Sequence, residues 1–286
     1  MTNVDPIAAM LNPAAFQQTL HMTLAAFAAT GFAVAGIHAF LLLRDPLNAF
    51  HRRALSVALL VGAPAALLQP VSGDISARQV ASRQPVKLAA MEAHFETMPG
   101  APLTMGGWPD VDAGTVRYAI KIPYGLSLLA FHDPKAVVKG LKDFPREDWP
   151  NVPIVHIAFQ VMVALGTYLA LVSIWAGWTA LRGRDLAANR RLLQALVLGA
   201  PMGFIAIEAG WTVTEVGRQP WVIHGVLRTA DAVTPMPGLI VPFLLFTLLY
   251  CFLGVIVVWL LYRQIIRSPT PAAWSRIYNP GGVPGV

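Results

Sequence analysis

Five apolar runs, each long enough or nearly so to cross a membrane, constrain this chain more than any other feature. They cover roughly residues 14–43, 54–72, 153–177, 190–213 and 238–262. The second is the shortest and is interrupted by Pro64, whose freed carbonyl a neighbouring helix can satisfy. Charged residues make up only 13% of the chain, where a soluble domain carries roughly 25%, so lipid is the expected surroundings. The net charge of +6 does not point to nucleic acid, because most arginines stand at the ends of the apolar runs. A single cysteine, Cys251, lies inside an apolar run and makes no internal disulfide. The first eighteen residues hold Asp5 but no lysine or arginine. They lack the basic start of a signal peptide, so the chain is expected to enter the membrane through its own helices.

Orientation follows from the short flanks. Arg44, Arg52 and Arg53, then Arg182, Arg184, Arg190 and Arg191, then Arg263, Arg267 and Arg276 gather on one side, against Arg218 and Arg228 on the other. The arginine-rich side is expected to be cytoplasmic, which puts the N-terminus and the segment 73–152 outside. The expected fold is an all-α integral membrane protein in four parts. Residues 1–72 form the first two transmembrane helices and 73–152 a long extracytoplasmic loop. Residues 153–263 form three further helices, and 264–286 a cytoplasmic tail. A loop of that length is usually functional or disordered. Within it, Ile75–Met98 reads as a helix with Pro85 near a turn boundary, and Ile120–Phe131 as a short apolar stretch able to lie on the membrane surface.

Ionisable groups inside a span cost about 3 kcal/mol at the helix centre and so default to functional hypotheses. Here they are His21, His38 and Glu208, and Met162 joins them because a thioether can ligate iron. Asn12-Pro13 and Asn151 to Pro153 read as helix starts, an N-cap with proline in the first turn. His21 then lies about 12 Å and Met162 about 14 Å along helices that run the same way. Glu208 lies about 12 Å below the same face. One layer therefore holds three candidate ligands, and the first two have the depth needed to grip one haem from opposite faces. Blander readings stand beside each. His21 could hydrogen-bond a neighbouring helix, Met162 could fill the core, and Glu208 could be a protonated structural carboxyl or a proton relay. His38, about 25 Å further along, is expected to be interfacial.

Glu-Ala-Gly-Trp at 208–211, followed by Glu215 and by Gly-Arg-Gln-Pro-Trp at 217–221, resembles the signature of subunit I of cytochrome bd-type quinol oxidases. Lys-Leu-Ala-Ala-Met-Glu at 87–92, continuing to Glu96-Thr97, resembles that subunit's quinol-binding loop. Val-Lys-Gly-Leu-Lys-Asp-Phe-Pro at 138–145 is similar to the short-loop, cyanide-insensitive branch. Ala158-Phe159 through Val161-Met162-Val163 and Leu20-His21 resemble the helices that supply the methionine and histidine ligands. The likeness runs essentially from end to end, but in the family it covers only the C-terminal part, helices five to nine. The four preceding helices, with a histidine ligand and the acidic proton route, lie outside this sequence. Gln160 stands where family members often have arginine, and Phe204 where many have tryptophan.

The resemblance implies that His21 and Met162 ligate a low-spin haem b and that Glu208 ligates a high-spin haem. It implies that Lys87 and Glu92 engage the quinol and that Arg218 steadies haem propionates or the loop around them. Haem d belongs to the complete complex. Electrons would pass from quinol to the low-spin haem and on to the oxygen-reducing haems, in the bacterial cytoplasmic (inner) membrane. The partners implied are lipid, quinol, a second oxidase subunit and an N-terminal half. Elementary chemistry agrees. A carboxylate takes a proton, an ammonium holds a quinone oxygen, and His–Met ligation raises a haem's potential. Five residues apart on a helix is about 140°, so Lys87 and Glu92 are not expected to pair with each other. Oxygen reduction by this chain alone is not expected. The alternatives are a stand-alone b-type cytochrome, and a non-catalytic, assembly-type paralogue or gene fragment. Retention of His21, Met162, Lys87, Glu92 and Glu208 argues against decay.

Overall fold

The structure, a computed structural model, describes residues 7, 10–12 and 14–266. Pro13 of the first helix start, and Arg267 and Arg276 of the arginine-rich side, lie outside the described residues. Five helical spans are long and apolar enough to cross a membrane. The chain divides into two units, Met1–Ala232 and Val233–Val286. In the second, α8 (Ile240–Ile266) is a single apolar helix with Arg263 in its last turn.

The first unit is built on α1 (Ala15–Arg44) and α2 (Ala49–Arg83), an antiparallel pair joined by a turn in which Asn48 Oδ1 accepts from His51 N–H. Helix α1 buries a line of small residues, Ala28, Ala29, Gly31, Ala35, Gly36 and Ala39, which lets neighbouring backbones approach closely. A Cβ on Gly31 would come 2.5 Å from Gly62 Cα, so these two glycines fix the register of the pair. The second span is not short: α2 is a 35-residue helix that runs through Pro64 and Pro70 and past residue 72 to Arg83. Gln84 then breaks it, and Pro85 opens α3 (Pro85–Met91), as a proline does at a first helical position. The helix read as ending at Met98 thus ends at Met91, because Ala93 turns left-handed with φ 47°.

The long loop is not helical throughout. It contains three nested antiparallel pairs, β1 (Met98–Pro99) with β6 (Val137–Val138), β2 (Leu103–Met105) with β5 (Ile120–Ile122), and β3 (Trp108–Asp110) with β4 (Thr115–Arg117). The apolar stretch at 120–131 divides into strand β5 and helix α4 (Gly125–Phe131). Helix α5 (Val152–Leu181) follows, with Asn151 Oδ1 accepting from Ile154 N–H and Pro153 in the first turn, as its sequence predicts. The fourth span is two helices, α6 (Arg190–Gly199) and α7 (Met202–Val216), separated at Ala200-Pro201. Where it breaks it meets α1. A Cβ on Gly36 would come 2.5 Å from Ala200 Cβ, and one on Gly203 would come 2.5 Å from Ala29 Cα. After α7, strands β7 (Trp221–Ile223) and β8 (Leu227–Arg228) form a small hairpin. Arg228 ties it to the loop through Asp148 at 2.7 Å.

Candidate functional site

The glycine contacts set the depth of each candidate ligand. His21 and Ser72 each lie ten residues from the Gly31–Gly62 contact toward the loop end, and His21 Nδ1 is 2.8 Å from Ser72 Oγ. Ser72 spends its own hydrogen on Gln69 O at 2.9 Å, so it accepts from His21 Nδ1–H. That fixes the tautomer with Nε2 as the nitrogen that carries the lone pair, the arrangement a metal-ligating histidine needs. In this structure Nε2 accepts from the Gln69 amide N–H at 3.3 Å, a contact that an iron would replace, while the buried Gln69 Oε1 has no hydrogen-bond partner. A histidine with one nitrogen anchored, beside a buried amide oxygen left without a partner, fits residues that hold a haem iron.

Met162 lies in the same layer by an independent route. From the Ala29–Gly203 contact, His21 is eight residues toward the loop end on α1 and Gly210 seven on α7, about 12 Å and 10 Å. The Met162 side chain fills the space that Gly210 leaves: a Cβ there would come 2.9 Å from Sδ. Glu208 shares the layer but not the face. It is two residues, or about 200°, from Gly210 on α7, and it is exposed. The three candidates therefore match in depth, while Glu208 points away from the seam that Met162 occupies.

Lys87 and Glu92 look to different partners, as their spacing predicts. The Lys87 side chain lies along Gly217, where a Cβ would come 3.1 Å from its Cε. Burial and the neighbouring Arg218 guanidinium push its amine down to about 8, against an upward pull from Glu215. Arg218 itself contacts Glu215 at 3.3 Å, so the Gly-Arg-Gln-Pro-Trp segment packs directly on the lysine. Glu92 is 1% exposed. Burial pushes its carboxyl up to about 7, with a smaller lowering from the Thr104 N–H, and Oε2 has no partner. A carboxyl near 7 can take and release a proton at neutral pH.

The segment after Glu92 is zipped to the motif at 138–145. Leu141 N–H donates to His94 O at 2.9 Å and Lys142 N–H to Phe95 O at 3.0 Å. Gly140 N–H donates to Thr97 Oγ1 at 2.8 Å, and that hydroxyl donates to Asp143 at 2.6 Å. Lys142 and Glu96 form an ion pair across the same seam. Sequence reasoning missed Gln69 and Ser72, ordinary polar residues until the α1–α2 register sets them against His21. It also missed His156, fully buried with its ring nitrogens 2.8 Å from Met91 O and 3.2 Å from Gly106 O. His94, buried with Nε2 unpartnered, was missed too. At the arginine-rich end His38 is joined to the buried His51, Nδ1 to Nδ1 at 3.1 Å.

This architecture and these motifs occur together in known proteins. A family model described as cytochrome bd terminal oxidase subunit I matches residues 1–269. The chain is 39% identical over 274 residues to the Bacillus subtilis "Putative cytochrome bd menaquinol oxidase subunit I", covering 94% of this chain and 61% of that one. It is 30% identical over 275 residues to the cytochrome bd ubiquinol oxidase subunit 1 of the same organism, covering 91% and 58%. The solved bd oxidase from Geobacillus thermodenitrificans superposes with a TM-score of 0.83 at 38% identity, covering 94% of this chain and 62% of that chain. The chain thus spans about three-fifths of the length of the relatives it matches. With the match running through every span and both loop motifs, this chain belongs to the cytochrome bd terminal oxidase subunit I family.

Proposed function

We propose that this chain is the quinol-oxidising, haem-binding portion of a cytochrome bd-type terminal oxidase. The observation that carries the reading is the common layer of His21 and Met162, reached from two separate helix registers. His21 through Nε2 and Met162 through Sδ would hold a low-spin haem b, and Glu208 a high-spin haem of the complete complex, in which haem d also belongs. The bound haem supplies one-electron acceptance. Oxidising a quinol to a quinone releases two protons and two electrons. Glu92 takes a proton at its unpartnered oxygen, in a site dry enough to hold that proton near neutral pH. The Lys87 ammonium donates a hydrogen bond to a quinone oxygen, and Arg218, which in this structure contacts Glu215, holds that ammonium's neighbourhood positive and would pair with a propionate. Reduction of oxygen belongs to an assembly with a second subunit and an N-terminal half, in the bacterial cytoplasmic membrane with the arginine-rich ends inside.

The test is a reduced-minus-oxidised visible spectrum of the chain in detergent, before and after a quinol analogue. A low-spin b-type signal reducible by quinol is expected, and His21→Ala should remove it. In the assembled oxidase, Lys87→Ala and Glu92→Ala should each slow quinol turnover tenfold or more with haem content unchanged. Full low-spin haem in His21→Ala, or unchanged turnover in both loop variants, overturns the reading.

A further inference from the structure

Helix α5 has three working faces near its loop end. Met162 points to Gly210 of α7. Ile154, Ile157 and Ala158 line an open apolar cavity of about 590 Å³ beside Trp108. His156 and Gln160, one turn apart, make up the third face, about 130° round the helix from that cavity. The hydrogen-bond partners of this third face are all backbone atoms of the loop. Gln160 Nε2 donates to Thr104 O at 2.9 Å and Gln160 Oε1 accepts from Gly106 N–H at 3.1 Å. The His156 ring lies between Met91 O and Gly106 O.

These are the two backbone segments that define the Glu92 carboxyl. Met91 immediately precedes it, and Thr104 supplies the N–H that reaches it. Both carbonyls facing His156 are acceptors, so a ring with one N–H satisfies one of them and a ring with two satisfies both. A residue that fully buries itself against two carbonyls, with a glutamine one turn on that uses both ends of its amide on the same loop, is a clamp. It holds the loop within about 3 to 9 Å, along α5, of Met162.

We propose that His156 and Gln160 are positioning residues of the quinol site, locking the Glu92 carboxyl and the 103–107 turn onto the helix that carries Met162. The proposal rests on the reading that Glu92 takes a quinol proton. The clamp acts by excluding water: with both segments pinned, one carboxyl oxygen meets Thr104 N–H and the other stays dry and unpartnered. Releasing either segment rehydrates the carboxyl and loosens its aim.

The experiment measures steady-state oxidation of a short-chain quinol by the assembled oxidase in His156→Leu and Gln160→Met, with the low-spin haem spectrum as the check on folding. Both variants are expected to lower kcat/KM at least tenfold, mostly through KM, with the haem signal retained. The acid limb of the pH–rate profile should also move down from about pH 7 toward the ordinary carboxylate range as water reaches Glu92. Loss of packing alone would not move that limb. If His156→Leu loses haem, Gln160→Met decides, because the hydrogen-bond partners of its side chain are loop backbone. Wild-type KM and an unmoved acid limb in Gln160→Met overturn the clamp. Glu92→Gln, run beside them, separates the two failures: full activity in that variant overturns the quinol reading itself, whereas its inactivity beside a normal Gln160→Met overturns the clamp alone.

Discussion

Gly210 stands with Ala209 between Glu208 and Trp211 in the motif that first marked this region, and its lack of a side chain is what Met162 uses. A methyl group there would meet Sδ at 2.9 Å, closer than real Cβ atoms approach a neighbour, so the thioether must swing aside. Gly210→Ala is therefore expected to weaken or shift the low-spin haem spectrum, while Gly166→Ala, with nothing within 4 Å of its Cβ, leaves it unchanged. Equal spectra from the two variants would remove Gly210 from the ligand's support. The loop residues make a prediction of the opposite kind, in pH. Below about pH 7 Glu92 already holds a proton and cannot take one from quinol, and above about pH 8 Lys87 loses its charge. Quinol oxidation should follow a bell with limbs near those values. Lys87→Arg should erase the alkaline limb, because a guanidinium stays charged throughout, and an alkaline limb that survives in that variant removes Lys87 from the profile. His21, Met162, Glu208, Lys87 and Glu92 stand out as candidates in the sequence because each is polar or polarisable where its setting disfavours it, or lies in a motif. Ser72, Gln69 and His156 do not, since their roles depend on which residue of another helix or loop lies opposite.

At the scale of elements, the legible part was the helices and the illegible part was the loop. Apolar runs predicted four of the spans closely, and Asn151 caps its helix as read, whereas the cap of α1 is Ala14 rather than Asn12. Helix α2 outran its apolar run because the polar residues from Ser72 to Arg83 still favour a helix that loop segments pack against. The loop's shape comes from pairings tens of residues apart, such as Met98 with Val138, which no local pattern reveals. Those pairings make Gly140 a sensitive point. A Cβ there would come 2.4 Å from Phe95 O, a backbone atom with nowhere to go. Gly140→Ala should unzip the segment after Glu92 and raise KM for quinol, leaving the low-spin haem in place; an unchanged KM would show that the zipper does not hold the site. Burial of Glu92 sets the loop's stability against pH. Its folded value of about 7 lies above the usual 4.5, so the folded state binds the proton more tightly. Stability then falls as pH rises from about 4.5 to about 7 and stays lower above that. Glu92→Gln removes the penalty and should stabilise the folded loop by up to about 3 kcal/mol at pH 8, and little at pH 4. Thermal unfolding of both forms at the two pH values checks the sign.

At the scale of the whole molecule, the sequence predicted a membrane protein with one layer of ligands, and the helix registers divide that layer into two faces. His21 and Met162 are tied to the seam between α1, α2, α5 and α7 through Ser72, Gly203 and Gly210. Glu208 leaves α7 on the far side and is exposed, although it lies within an apolar span. A carboxylate facing lipid there costs about 3 kcal/mol, so Glu208 requires something beyond its own unit to meet it: a haem iron, another helix, or both. The two faces should therefore come apart in experiment. Glu208→Ala in the chain expressed alone is expected to leave the low-spin signal intact, because that side chain is exposed and lies about 200° round α7 from Gly210. In the assembled oxidase the same variant should lose a high-spin haem while retaining the low-spin one, and His21→Ala should show the reverse pattern. Loss of the low-spin signal in Glu208→Ala would mean that the two faces form one site, and the division drawn from the Ala29–Gly203 register would fail with it.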